Sequence, residues 1–236
     1  MCTRLTLTAD ATALQAAFPQ FELPAAWQPR YNIAPGQPLL VVPNTPQRQG
    51  TFFVWGLIPA WAKPDARGRY RSFVNARAET AAHKPAFRGP MRYRRCLVLA
   101  DGFYEWHGPK GRRQPWRFTL RDGRPFALAG LWDRHLTPDG SELLTCAVLT
   151  TAANEVVRPI HDRMPVILPP EAYDLWLQPE PVDPATLTPW LRPYPAEEMR
   201  GYPVHPRVNN PRYDRPDAIE PWQPPQAHAL PLEAAP

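Results

Sequence analysis

Directly behind Met1 stands Cys2. Removal of Met1 would turn that residue into a 1,2-aminothiol, with an amine and a thiol on adjacent carbons. The reference pKa is about 7.7–8.0 for a terminal amine and about 8.5 for a thiol, so near neutrality both are partly nucleophilic. Such a pair can trap an aldehyde twice, first as an imine and then as a five-membered thiazolidine. A Cys at this position can equally be a small side chain on a frayed terminus. Position by itself does not separate the two.

Three further places carry side chains suited to proton transfer or anion binding. His161, in RPIHDRMP (158–165), has an imidazole that can move protons at neutral pH, or it can be structural. Its neighbour Asp162 is not automatically its partner, because adjacent residues of an extended segment face opposite ways. Glu105 lies between Tyr104 and Trp106, and period-2 alternation puts it on the face shared with Phe103. Desolvation there would raise its pKa and suit it to act as acid and then as base; the alternative is a surface Glu between inward-packed aromatics. Asn75 and Arg77 in VNARAET (74–80) share a face if the segment is extended. An Asn that donates and accepts at once can orient an amine or a sugar hydroxyl, and the Arg fork suits phosphate. Alternatively Asn75 caps a helix running through ARAETAAH and Arg77 is solvated on its first turn.

Other chemistries lack their motifs. The histidines have neither H-x-x-x-H nor H-E-x-x-H spacing, and Cys2, Cys96 and Cys146 form no CxxC, so no metal site is expected. G-x-G-x-x-G, G-x-x-x-x-G-K-S/T and G-x-S-x-G are absent, which removes the signatures of a dinucleotide site, a P-loop and a serine hydrolase. A Cys/His peptidase or amidase, with Cys2 as nucleophile and His161 as base, is the generic enzyme reading that remains.

These residues need a scaffold of short elements, because 34 prolines punctuate the 236-residue chain. Asp10 caps an expected helix over 10–18. Strands are expected at 39–43, 51–59, 96–106, 115–120, 125–132, 143–151 and 163–169, with 115–120 and 125–132 forming a hairpin around Asp122 and Gly123. A helix is expected over 170–177. The sum is a β-rich α+β domain, with too few long helices for a doubly wound parallel sheet. The Pro/Ala-rich sequence after 216 reads as a mobile tail. Cys96 and Cys146 sit in apolar runs and read as small core residues.

Between 61 and 95 stand ten Lys/Arg against Asp65 and Glu79, a local +8, so the rest of the +5 chain is net −3. Such a field suits a phosphate backbone, although a solvated basic face has the same composition. Nothing resembles a membrane span or a secretory signal, so a cytoplasmic or nucleoid location is expected, with no membrane partner.

Taken in order, the motifs resemble the SRAP family, the SOS response-associated peptidase-like proteins that shield abasic sites in DNA. The resemblance rests on Met1 and Cys2, YNIAPGQ (31–37), WGLIPAW (55–61), VNARAET (74–80), CLVLADGFYEW (96–106), AGLWD (129–133), TTAANEVVRPIHDRMPVIL (150–168) and VHPRVNNPRYDRP (204–216), spanning about nine-tenths of the chain. It implies one domain over 2–216, with a curved barrel-like antiparallel or mixed sheet, short helices and a basic DNA-binding cleft, and a tail over 217–236. The implied activity is covalent capture of abasic sites in single-stranded DNA, including sites at single-strand/double-strand junctions, by a monomer without metal or cofactor. Cys2 is then the crosslinking residue, Asn75 orients its amine or the opened sugar, Glu105 is acid/base, and His161 assists sugar opening or Schiff-base chemistry. Arg77 falls on a phosphate-contacting position, and Arg4, Trp55, Pro59, Trp61 and Arg163 are implied to contact DNA. Family members read Met-Cys-Gly-Arg at the terminus, whereas this chain has Thr3 in place of Gly. That change adds a branched side chain but removes no reacting atom, so activity is expected to persist, at an altered rate if Cys2 shifts. The competing readings are the Cys/His peptidase or amidase, and a non-catalytic single-stranded DNA-binding protein.

Overall fold

A computed structural model describes residues 2–109 and 111–223. Thirteen strands build two sheets. In chain order they are β1 (Leu5–Leu7), β2 (Arg30–Ile33), β3 (Pro38–Pro43), β4 (Thr51–Trp55), β5 (Asn75–Arg77), β6 (Arg95–Ala100), β7 (Gly102–His107), β8 (Gln114–Leu120), β9 (Phe126–Leu136), β10 (Glu142–Ala152), β11 (Arg163–Pro165), β12 (Ile167–Leu168) and β13 (Met199–Pro203). The larger sheet runs β10-β4-β3-β6-β9, and β9 pairs back onto β10, so these five strands close into a barrel. β5 and β11 add to β10, and β12 adds to β9. The smaller sheet runs β13-β8-β7-β1-β2. Helices are short: α1 (Ala11–Ala17), capped by Asp10 as the sequence predicts, α2 (Ala78–Ala81) and α3 (Arg88–Tyr93) are the first three. The β-rich α+β class expected from the sequence is the observed one.

Several sequence expectations change, and the first change helps to place the site. The run 96–106 is not one strand. It breaks at Asp101, leaving β6 in the barrel and β7 in the second sheet. Asp101 is buried at the corner. Its carboxylate accepts from the Thr6 and Thr8 hydroxyls and from the backbone N–H of Thr8 and Ala9, and it pairs with the Arg117 guanidinium at 3.1 Å. A buried carboxylate needs such partners, and here they come from β1 and its exit, so the corner also fixes the N-terminal strand.

The expected hairpin of 115–120 with 125–132 does not form. The turn exists, with Gly123 at φ 75°, but β8 pairs with β7 and β13 while β9 pairs with β6, β10 and β12. The strands separate because β9 is apolar and buried on both faces over Phe126–Leu131 and belongs inside the barrel wall. There Gly130 faces Cys96 so closely that an added Cβ would lie 2.7 Å from its Sγ. Local turn chemistry was right, and tertiary burial decided the pairing.

The expected strand 51–59 ends at Trp55, and 163–169 is split into β11 and β12 around Val166, whose N–H bonds Leu149 O while its carbonyl accepts from Ala129 N. The expected helix over 170–177 is present as a 3-10 turn (Pro170–Ala172) followed by an α-helical turn (Tyr173–Trp176). Packed structure continues past 216. The turn Pro216–Ile219 buries Ala218, and Trp222 N bonds Pro203 O; the remainder of the expected tail, 224–236, lies outside the described residues. No helix among the described residues is long and apolar enough to cross a membrane.

Candidate active site

Cys2 is fully buried rather than frayed. Its thiol donates to Arg4 O at 3.6 Å, and its carbonyl accepts the Asn75 side-chain amide at 2.6 Å. Burial, with the charge of Glu105 second, pushes the thiol well above its ordinary value. The partly ionised thiol expected from reference values is therefore corrected: burial disfavours the thiolate here.

Asn75 stands on β5, next to β10 with Asn75 opposite Val148. It does not cap α2, whose cap position is Arg77 without any side-chain bond. With its Nδ2 on Cys2, its Oδ1 is buried and has no hydrogen-bond partner among the described residues. A buried acceptor left open beside a nucleophile is a ready seat for an incoming amine or hydroxyl donor.

Glu105 is 2% exposed on β7, on the same face as Phe103. Alternation works as read from the sequence: Phe103 enters the main core, whereas Tyr104 and Trp106 pack in a second cluster with Val204, Val208 and Ala218. Burial pushes the Glu105 carboxyl up to about 7, against the pull of the positive chain terminus. An acid with that value gives and takes protons near neutrality.

His161 ends a turn begun at Asn154, whose side chain accepts from Val156 N and Val157 N. The turn closes with His161 N on Val157 O. Arg163 N donates to His161 Nδ1 at 2.9 Å, so the neutral ring carries its proton on Nε2. Asp162 also lies 3.0 Å from Nδ1. Burial first and the chain terminus second lower the imidazole below its ordinary value, which works against charging this contact, while Asp162 pulls the other way. Glu105 acts on Cys2, and the terminal charge acts on Cys2, Glu105 and His161 alike. Three distant segments thus share one electrostatic neighbourhood.

The N-terminus is led there by Arg4. Its guanidinium donates to Asn32 Oδ1 and Val208 O, both at 2.8 Å, and lies 5.8 Å from the Trp106 ring centre. Asn32 in turn donates to the carbonyls of Val208, Asn210 and Tyr213. YNIAPGQ and the late VNNPRYD segment are therefore one bracket around the start of the chain. Thr3, Arg4, Trp106, Gly111, Arg113 and Asn209 line a depression of about 330 Å³. A larger cleft of about 690 Å³ runs past Phe53, Arg94, Trp132 and Asp133, but it contains none of the groups able to do the chemistry, and size does not mark the site here.

Comparison with known proteins decides the family. The model of the SOS response associated peptidase (SRAP) family matches residues 1–211. The chain belongs to the SRAP family. The abasic site processing protein YoqW of Bacillus subtilis is 42% identical over 93% of this chain and 99% of its own length. The abasic site processing protein YedK of Escherichia coli is 33% identical over 72% of this chain and 75% of its own. A solved protein structure from Bacteroides thetaiotaomicron superposes with a TM-score of 0.81 at 25% identity, covering 94% of this chain and all of the other.

Within this SRAP domain the remaining expected DNA contacts separate. Arg77 is exposed at the end of β5 and makes no ion pair among the described residues. Trp61 is 64% exposed. Trp55 is 1% exposed with its indole N–H on Val74 O, and Pro59 is buried with its carbonyl on His135; neither presents its side chain to solvent. Arg4 braces the terminus, and Arg163 is clamped by Glu79 at 2.6 and 2.9 Å. The +8 segment is likewise less open than its composition implies. Arg95 is buried among the carbonyls of Trp176, Met91, Arg92 and Gln178, Arg94 pairs with Asp133, and Arg69 pairs with Asp65. Sequence reasoning missed Trp106, Arg113 and Asn209 as lining residues. Asn209 could have been found from the late motif, whereas Arg113 lies in a loop with no pattern of its own.

Proposed function

We propose that this protein captures abasic sites in single-stranded DNA covalently through Cys2. The observation that carries the reading is the buried Cys2 held by Asn75 at 2.6 Å, with the perturbed Glu105 and His161 acting in the same electrostatic neighbourhood. Relatives over almost the whole chain are named abasic site processing proteins. In the ring-opened abasic sugar the aldehyde is free. The Cys2 amine, exposed by removal of Met1, attacks its carbon; water leaves and an imine forms. Loss of water leaves the nitrogen protonated. The thiol sulfur then adds to that carbon, the nitrogen becomes the neutral ring N–H, and the thiol gives up its proton as the thiazolidine closes. Glu105, poised near 7, can protonate the departing oxygen and then take the thiol proton. His161, with its proton on Nε2, assists ring opening, and the open Asn75 Oδ1 receives the amine or a sugar hydroxyl. β-Elimination from the imine is the lyase branch that ring closure suppresses.

Arg77 and Trp61 are the exposed cation and ring suited to phosphate and base. A missing base removes the cost of unstacking a normal one. Such a substrate would place the protein at the chromosome, at gaps and single-strand/double-strand junctions, where it would act as a monomer. The peptidase alternative is less favoured: its nucleophile needs a lowered thiol pKa beside a protonated imidazole, whereas here the thiol is raised and the imidazole lowered.

The test is incubation of Met1-processed protein, verified by intact mass, with single-stranded DNA bearing one abasic site, followed by denaturation. A covalent complex lighter than the sum by one water, lost in Cys2→Ala, is expected. Salt-sensitive binding with no adduct would replace this reading with that of a non-catalytic DNA-binding protein.

A further inference from the structure

The geometry points to Glu79 as a positioning residue for His161, acting through Arg163. This inference rests on the proposed abasic-site chemistry for its kinetic consequence but not for its structural one. Glu79 lies in α2, within the VNARAET segment that also supplies Asn75. Both its oxygens receive the Arg163 guanidinium, at 2.6 and 2.9 Å, and the same guanidinium donates to Thr150 O at 2.5 Å. A bidentate pair completed by a carbonyl holds a planar fork in one orientation. Arg163 also opens β11, where it is paired with Ala152, and Asp162 O accepts from Ala153 N.

With side chain and strand both fixed, the backbone N–H of Arg163 has a single direction. It points at His161 Nδ1, 2.9 Å away. That bond sets the tautomer: Nδ1 accepts, and Nε2 carries the transferable proton. The chain of contacts runs from Glu79 through Arg163 to His161, and it joins the segment that anchors Cys2 to the segment that carries the imidazole. Glu79 itself is half-exposed and touches no reacting group, so its role is to hold orientation. Its charge also keeps Arg163 engaged.

The test uses the full chain with Met1 removed, comparing wild type, Glu79→Ala and the isosteric Glu79→Gln. Long-range nitrogen–proton spectra of histidine-labelled protein, with His161 assigned by its own substitution, report the tautomer without any DNA. Wild type should show the Nε2–H form, and Glu79→Ala a mixture of tautomers. The rate of adduct formation should fall about tenfold in Glu79→Ala, as small losses of orientation do, with partial recovery in Glu79→Gln. Affinity for intact single-stranded DNA should change by less than about twofold, because exposed charges contribute little each at moderate salt. If Glu79→Ala does not fold, Glu79→Gln carries the tautomer and rate comparison. A wild-type tautomer pattern and wild-type rate in the folded variants would overturn the inference, as would equal losses of binding and adduct. If wild type forms no adduct at all, the abasic-site reading falls, while the tautomer comparison still decides the role of Glu79.

Discussion

Asn75 donates its side-chain amide to the carbonyl of Cys2 across 2.6 Å, linking a strand on the barrel wall to the start of the chain. The bond fixes the residue whose amine and thiol, in the proposed capture, both reach one carbon. It also leaves Asn75 Oδ1 buried and open on the same side chain. One amide thus holds Cys2 and, in the proposed capture, offers an acceptor to the substrate.

Replacing Asn75 by Ala removes the anchor and the acceptor together. The rate of adduct formation with abasic single-stranded DNA should fall by about tenfold to a hundredfold, since misplacement of a reacting group by about 1 Å has that effect. Asn75→Asp should be no better, because its carboxylate would face the Cys2 carbonyl with no proton to donate. A time course on denaturing gels measures the rate. Binding of intact DNA should be nearly unchanged in both variants, and a parallel loss of binding would mean that Asn75 only maintains the fold.

Glu105 gives a pH dependence of defined sign. Its folded value of about 7 lies above the ordinary 4.5, so the folded protein holds this proton more tightly than the unfolded chain. The associated stability is fully present below about pH 4.5 and is lost as pH rises through about 7. Glu105→Gln never carries the charge. It should match wild type near pH 4.5 and exceed it at pH 8, by on the order of 2–3 kcal/mol. Urea melts at the two pH values measure this. The same substitution should slow adduct formation and remove the inflection near pH 7 from its rate profile. A variant no more stable than wild type at pH 8 would show that the carboxylate is not disfavoured in the fold.

How legible this molecule was in its sequence depended on the range of the signal. The Phe103/Glu105 face and the Asp10 cap follow from spacing of two and three residues, and both are as read. Pairing was less accessible. Asp122 and Gly123 make a turn, yet the strands on either side join different sheets, because burial of β9 on both faces outweighs the local preference. The break at Asp101 was invisible for the same reason: its partners Thr6, Thr8 and Arg117 are far away in the chain. At the site, the family motifs named Cys2, Asn75, Glu105 and His161, and the fold brings three distant segments around the first of them. Composition could not say which cations are free, as the buried Arg95 and the clamped Arg163 illustrate.

Asp101 should be as important to the site as to the fold. Asp101→Asn leaves the Arg117 guanidinium buried beside a neutral amide, and breaking a buried ion pair from one side costs about 3–5 kcal/mol. Chemical denaturation should show a loss of that size. Replacing Asp101 and Arg117 together by Leu and Met should recover much of it, because the uncompensated charge is gone. Because β1 loses its tether at Thr6 and Thr8, adduct formation in the folded fraction of Asp101→Asn should also slow. If the double variant is no more stable than Asp101→Asn, the ion pair is not what the corner depends on.

The two tryptophans of WGLIPAW should fail in opposite ways. Trp61 is 64% exposed, and a ring in that position can stack on a base at about 1–3 kcal/mol. Trp61→Ala should therefore weaken binding of intact single-stranded DNA by roughly tenfold to a hundredfold, largely independent of salt, with unfolding unchanged. Trp55 is 1% exposed with its N–H on Val74 O. Trp55→Ala opens a cavity and orphans that carbonyl, so stability should drop by about 3–5 kcal/mol while the folded protein keeps its DNA affinity. Fluorescence anisotropy with labelled DNA and denaturant melts separate the two effects. If Trp61→Ala binds DNA as wild type does, the exposed ring lies off the path of the strand, and the phosphate contacts proposed for Arg77 must hold the DNA without it.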